Sequence, residues 1–156
     1  MNRARVFQGI VKGILACDTS QKQELGRRFA YHLGLTPGVA GGDGGIDGYA
    51  NINNKMIYFQ SKLSQNILDA SYVADFVGNL VIHEADLGFF LTGIGYTDGF
   101  YDRLKLALNS KKLTNQFTIH LLTLRDIFEE TTNFKNAIQD LPPLRNINEE
   151  ALELFK

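Results

Sequence analysis

Two stretches decide how this chain folds: Gly41-Gly42-Asp43-Gly44-Gly45-Ile46-Asp47-Gly48-Tyr49-Ala50 and Met56-Ile57-Tyr58-Phe59-Gln60-Ser61-Lys62. The second is rich in aromatic and branched residues and reads as a strand over 56–62. A shorter strand over 46–50 precedes it. Residues 51–55 between them read as a turn, with Asn53 and Asn54 suited to positive φ. Together these predict an antiparallel hairpin. Side chains two apart share a strand face. Gln60 and Lys62 therefore point one way, with Met56 and Tyr58 behind them, and Ile57, Phe59 and Ser61 point the other. Pairing across the hairpin sets Asp47 beside Gln60 and Lys62.

Upstream, residues 20–33 read as a helix. Ser20 and Gln23 have the spacing of a capping box, Leu25, Phe29 and Leu33 form one apolar stripe, and Gly34 is a natural stop. Downstream, a helix is expected over 69–85 with Val73, Phe76, Val77 and Leu80 inward. A buried strand is expected over 87–94, and then a helix over 98–109 with Tyr101, Leu104, Ala107 and Leu108 inward. A strand over 117–122 and a helix over 124–138 follow. Pro142 and Pro143 break the pattern before a short final helix. The order α-β-β-α-β-α-β-α predicts an α/β fold, a mixed central sheet flanked by helices.

The 156 residues suit one domain, 1–156, with its core over about 20–138. A hydrophobic share of 44% with 21% charged residues is that of a globular protein. No window has the roughly 18 uninterrupted apolar residues of a membrane span. Residues 1–16 carry Arg3 and Arg5 ahead of an apolar stretch, the outline of a signal peptide, but Gln8 and Lys12 interrupt it. The single cysteine, Cys17, excludes an internal disulfide and a cysteine-rich zinc site. A reducing, cytoplasmic setting is expected. His32, His83 and His120 share no metal-ligand spacing. The net charge of −1 gives no overall attraction to nucleic acid, so positive residues would have to gather on one face.

Asp47, Gln60 and Lys62 place a carboxylate, an amide oxygen and an ammonium on one surface. That set suits phosphodiester hydrolysis. Mg²⁺ takes oxygen ligands, one or two of them carboxylates, and keeps several waters. Asp47 and Gln60 are candidate ligands, helped by a backbone carbonyl at Phe59 or Gln60. Lys62 is suited to orient a water, to act as base, or to stabilise developing charge. Six of the eleven residues over 38–48 are glycine, which permits close backbone approach by a phosphate. A dinucleotide fingerprint does not fit, because these glycines follow a helix and open a strand.

Gly42-Asp43-Gly44-Gly45-Ile46-Asp47, followed thirteen residues after Asp47 by Gln60-Ser61-Lys62, resembles the Mrr-like branch of the PD-(D/E)xK nuclease superfamily, the type IV restriction endonucleases and their relatives. The likeness covers roughly residues 20–130. It implies a restriction-endonuclease-like fold, Mg²⁺ or Mn²⁺ as cofactor, and DNA as substrate. It further implies Asp47, Gln60 and Lys62 as catalytic residues, with Glu24 on the preceding helix as a fourth. Ser61 stands where cysteine is frequent in the branch, and is expected to face away.

Around this centre Asp43, Gly44, Gly45, Arg27 and Arg28 are candidate DNA contacts, with Lys105, Lys111 and Lys112 as further phosphate ligands. Asp43 also suits a role in fixing its loop. Glu24 can instead form a surface pair with Arg28, worth about 0.3 kcal/mol. Cutting both strands needs two sites, so a homodimer or partner subunit is expected, and no membrane. A junction resolvase or RNA nuclease of the same fold, and a catalytically inactive DNA-binding or assembly subunit, are the alternatives.

Overall fold

The computed structural model describes residues 3–39, 46–113 and 116–146. Its elements are α1 (Arg3–Leu15), α2 (Thr19–His32), β1 (Thr36–Pro37), β2 (Gly48–Ile52), β3 (Lys55–Lys62), α3 (Val73–Ile82), β4 (Leu87–Thr92), α4 (Asp98–Leu108), β5 (Thr118–Thr123), α5 (Leu124–Glu129) and α6 (Thr132–Ala137). The strands form one sheet in the order β1-β2-β3-β4-β5. β1, β2 and β3 run antiparallel, while β3, β4 and β5 run parallel. This is the expected mixed sheet, and the expected element order lies within it.

Each sheet face carries its own core. Ile57, Phe59, Phe89, Leu91 and Leu122 pack under α1, α2, α5 and α6 through Leu15, Phe29, Leu33, Ile127 and Phe134. Tyr58 and Phe90 pack on the other face under α3 and α4 through Phe76, Leu80, Phe100 and Leu104. β4 is buried along its whole length, as a central parallel strand covered on both faces must be. α3 crosses it closely at Gly88, where a Cβ would lie 2.7 Å from Leu80 Cδ2.

The hairpin turn forms as expected, with φ of 52° at Asn53 and 64° at Asn54. Several expectations need correction. The capping box belongs to Asp18 and Gln21, not Ser20 and Gln23, and the helix starts at Thr19. Asp69 caps a 3-10 turn, Ala70–Tyr72, before α3 begins, and the expected four residues, Val73, Phe76, Val77 and Leu80, are buried on α3. On α4 it is Phe100, not Tyr101, that is buried with Leu104; Tyr101 is half exposed. The helix expected over 124–138 is two helices. Glu130 takes a left-handed conformation, and Thr131 caps α6 by accepting from the Phe134 amide. A threonine that bonds the backbone locally competes with helix continuation.

Residues 3–15 form an amphipathic helix. Phe7, Val11, Ile14 and Leu15 follow helical spacing; Val11, Ile14 and Leu15 join the first core, and Phe7 stacks on Phe128 at 5.9 Å. The two-residue strand β1 had no counterpart in the sequence reading. Among the described residues no helix is long and apolar enough to cross a membrane. The final helix falls on residues outside those described.

Candidate active site

The hairpin and α2 meet at a cleft of about 450 Å³, where β3 ends. Asp47, Gln60 and Lys62 all line it, together with Ser61, Lys22, Gln23 and Arg27. The register explains the gathering. Gly48 pairs with Phe59, so Asp47, one residue before β2, stands opposite Gln60. Its amide still donates to the Phe59 carbonyl at 2.9 Å. Lys22, Arg27 and Lys62 are positive and Asp47 alone is negative among the described lining residues. Its described lining thus carries a local positive excess that the overall charge does not, although Arg27 is paired with Glu24.

Asp47 is held by the residue after Gln60. The Ser61 amide donates to Asp47 Oδ2 at 2.6 Å and the Ser61 hydroxyl donates to the same oxygen at 3.0 Å. Ser61 does take the strand face opposite Gln60, toward Gly26 of α2, but it is not remote from the site as expected, since it bonds Asp47 and lines the cleft. Strand alternation holds inside a ladder, but here β2 has ended and the Asp47 carboxylate takes the place of a backbone acceptor. Burial pushes the Asp47 carboxyl above its ordinary pKa, and the two Ser61 bonds oppose that rise.

Gln60 is fixed from beneath. The Tyr58 hydroxyl donates to Gln60 Oε1 at 2.8 Å. Tyr58 is fully buried. Burial first, and the Asp47 charge second, push its pKa far up, so the phenol keeps its proton. Lys62 is positioned through its backbone: the buried Thr92 hydroxyl donates to the Lys62 carbonyl at 3.1 Å.

Gly38 donates to the Asp47 carbonyl at 2.8 Å, and Arg27 Nε donates to the Gly38 carbonyl at 2.7 Å. A Cβ on Gly38 would sit 2.4 Å from the Ile46 carbonyl oxygen, so only glycine fits there. Asp43, Gly44 and Gly45 lie outside the described residues.

Glu24 is placed apart from this set. It accepts from Arg27 Nη1 at 2.9 Å and lies 3.7 Å from Arg28 Nε, and it does not line the cleft. Arg27 reaches the cleft while tied to Glu24 and Gly38, whereas Arg28 is not among the lining residues. Lys105 lines a different groove, with Tyr101, Leu104 and Ile119. The histidines are dispersed: His32 bonds the Arg145 carbonyl, His83 stacks on Tyr58, and His120 pairs with Asp140 at 2.7 Å.

The supporting residues Ser61, Tyr58 and Thr92 were missed because nothing in residue spacing marks them. Gly26 did carry a signal. A glycine inside a helix is costly and asks for a packing reason. The reason is the site itself: a Cβ on Gly26 would lie 2.3 Å from Ser61 Oγ and 3.3 Å from Asp47 Cγ.

Comparison with curated proteins and with solved structures gave no match. Comparison with protein families gave one, described as restriction endonuclease and of the Mrr catalytic type, over residues 20–127. That span runs from the first turn of α2 to the buried Ile127 of α5 and includes the whole sheet and every described lining residue of the cleft but Thr19. The chain therefore belongs to the Mrr-like restriction endonucleases.

Proposed function

We propose that this restriction-type nuclease domain is a divalent-metal-dependent DNA endonuclease, with Asp47, Gln60 and Lys62 as its catalytic residues. The observation that carries the reading is that Asp47, Gln60 and Lys62 all line one cleft, with Lys22 and Arg27 beside them. DNA is the substrate class that follows from family membership, and the cleft's basic residues suit a phosphate backbone.

The donor chemistry fits Mg²⁺ or Mn²⁺. One carboxylate, one amide oxygen and neighbouring carbonyls, completed by water and phosphate oxygens, are what Mg²⁺ accepts. Asp47 and Gln60 would hold it, Gln60 through the lone pair of Oε1 that Tyr58 does not use. Once bound, such an ion acidifies a water and offsets charge on the phosphoryl oxygens.

The chain's own groups supply the rest. Hydrolysis joins a water oxygen to phosphorus and breaks the bond to the leaving alkoxide; the attacking water gives up one proton to solvent and the alkoxide takes one up from solvent, so the protons balance. The Lys62 ammonium stabilises the negative charge that grows at the phosphate as that bond breaks. Lys22 and Arg27 hold the flanking backbone. Glu24, though outside the cleft, orients Arg27. Two such sites, from a second copy or a partner subunit, would cut both strands.

A plasmid nicking assay with Mg²⁺ tests the reading. Wild-type protein is expected to nick and Asp47→Ala to be at least 1,000-fold slower, an estimate from the size of metal and electrostatic contributions to catalysis, about 10³. Equal rates would remove the mechanism. The single described carboxylate in the cleft supports a second reading, an inactive DNA-binding subunit. Titration with Mn²⁺ separates the two, since that subunit would bind DNA but no metal.

A further inference from the structure

A buried backbone amide at the end of a strand needs an acceptor. On β3, Phe59 presents its carbonyl to the strand that follows the glycine segment, where the Asp47 amide meets it at 2.9 Å. Ser61, two residues on, presents its amide to the same side. Residue 48 is the first of β2, so a regular ladder has no partner to offer there. The Asp47 side chain fills the gap, accepting the Ser61 amide at 2.6 Å. The hydroxyl of the same serine adds a second bond at 3.0 Å.

Both donors address one oxygen. Asp47 Oδ2 takes the two bonds, and no described residue donates to Oδ1. The carboxylate is therefore turned with Oδ2 committed to Ser61, while Oδ1 takes no bond from a described residue and lies toward Gly26 of α2, 3.4 Å from where a Cβ there would stand, in a residue that lines the cleft. α2 is shaped to allow this, since its Gly26 leaves the room that Ser61 Oγ and the carboxylate occupy. A serine between Gln60 and Lys62 would ordinarily be a spacer. Here it makes a two-pronged clamp whose acceptor, among the described residues, is the candidate ligand.

We infer that Ser61 is a positioning residue of the nuclease site, clamping Asp47 Oδ2 so that Oδ1 is presented to a divalent cation in the cleft. The inference rests on the metal-dependent reading proposed above. The Ser61 hydroxyl touches neither ion nor DNA; it acts through Asp47. Partners of this kind fix ligand orientation, and losing one typically weakens metal binding by about tenfold or more. Ser61→Ala removes the hydroxyl and keeps the amide bond, so it disturbs the clamp without deleting a strand hydrogen bond. Ser61→Thr keeps the hydroxyl.

The experiment is a calorimetric titration of the full chain with Mn²⁺ alone, with no DNA present, on wild type, Asp47→Ala, Ser61→Ala and Ser61→Thr. Melting curves and DNA binding in EDTA are recorded for each. The expected result is Mn²⁺ binding by wild type, none by Asp47→Ala, about tenfold weaker binding by Ser61→Ala, and near-wild-type binding by Ser61→Thr. Without metal, Ser61→Ala should melt somewhat below wild type, because a hydrogen bond to a largely buried carboxylate is lost, and Ser61→Thr should not; a merely structural serine would lower melting without weakening Mn²⁺ binding in the folded protein. If wild type and Asp47→Ala differ as expected but a folded Ser61→Ala binds Mn²⁺ like wild type, the clamp is overturned and the metal reading stands. If wild type binds no Mn²⁺, both are overturned.

Discussion

Asp47 is asked to carry a negative charge where burial disfavours one, and its stability should show it. Its carboxyl lies above the ordinary aspartate pKa because desolvation outweighs the two Ser61 bonds. A group with a raised folded-state pKa binds its proton more tightly in the folded chain. Its stabilising contribution is complete below about pH 4, the ordinary aspartate value, and is lost as pH rises through the folded value. In EDTA at pH 7, Asp47→Asn, which cannot ionise, is therefore expected to melt above wild type, and the gap should close near pH 3. Melting curves at the two pH values check this, and a variant that melts below wild type at pH 7 would contradict it. The same residue shows what sequence can and cannot reveal. Its place opposite Gln60 follows from hairpin pairing and a period of two. The Ser61 clamp does not, because alternation describes side chains within a ladder and says nothing of a carboxylate that replaces a missing strand partner.

Elements were readable where one period ran without competition. β3 and β4 declared themselves by apolar runs, and α3 by Val73, Phe76, Val77 and Leu80 at helical spacing. α1 was obscured because Gln8 and Lys12 interrupt a linear apolar run, although on a helix they fall on the exposed side. The segment after β5 was obscured for a different reason. Asp126 closes one capping box with Thr123, Thr131 opens the next helix, and caps that close together divide what hydrophobicity alone joins. Two glycines, one on α3 and one beneath it, turn this packing into a paired prediction. Gly78 has nothing within 4 Å of its would-be Cβ, whereas at Gly88 Leu80 and Phe76 stand at 2.7 and 3.1 Å. Gly78→Ala should stabilise by roughly 0.5–1 kcal/mol through helix propensity. Gly88→Ala should destabilise by about 1–3 kcal/mol by driving α3 off the sheet. Urea unfolding midpoints moving in opposite directions would bear this out, and a shift in the same direction for both would not.

The family match over residues 20–127 leaves out both flanks of the described chain, yet both pack onto the face that α2 covers. α1 reaches the core through Leu15, and the segment after α6 returns to the far end of α2. There the Arg145 amide donates to the His32 carbonyl at 2.9 Å, while its guanidinium donates to Gly34 at 3.1 Å and to Leu35 at 3.2 Å. The same guanidinium lies 4.8 Å from the centre of the Tyr31 ring. A cation at a helix C-terminus satisfies carbonyls that have no partner within the helix and opposes the negative end of its dipole. The cleft depends on where α2 stands, because Lys22, Arg27 and the Gly26 gap all belong to it. Arg145 is exposed, so water replaces part of what it gives, and Arg145→Ala should cost only about 1 kcal/mol. Its more telling effect is local. Hydrogen exchange should quicken at the amides of Leu33, Gly34 and Leu35 while those of β4 keep their protection, because the end of α2 loosens without the sheet opening. Activity should fall through weaker DNA binding rather than through the rate at saturation, since Asp47, Gln60 and Lys62 are anchored on the hairpin. Exchange that quickened equally on β4 would instead mean that the clamp holds the whole molecule together and not one helix.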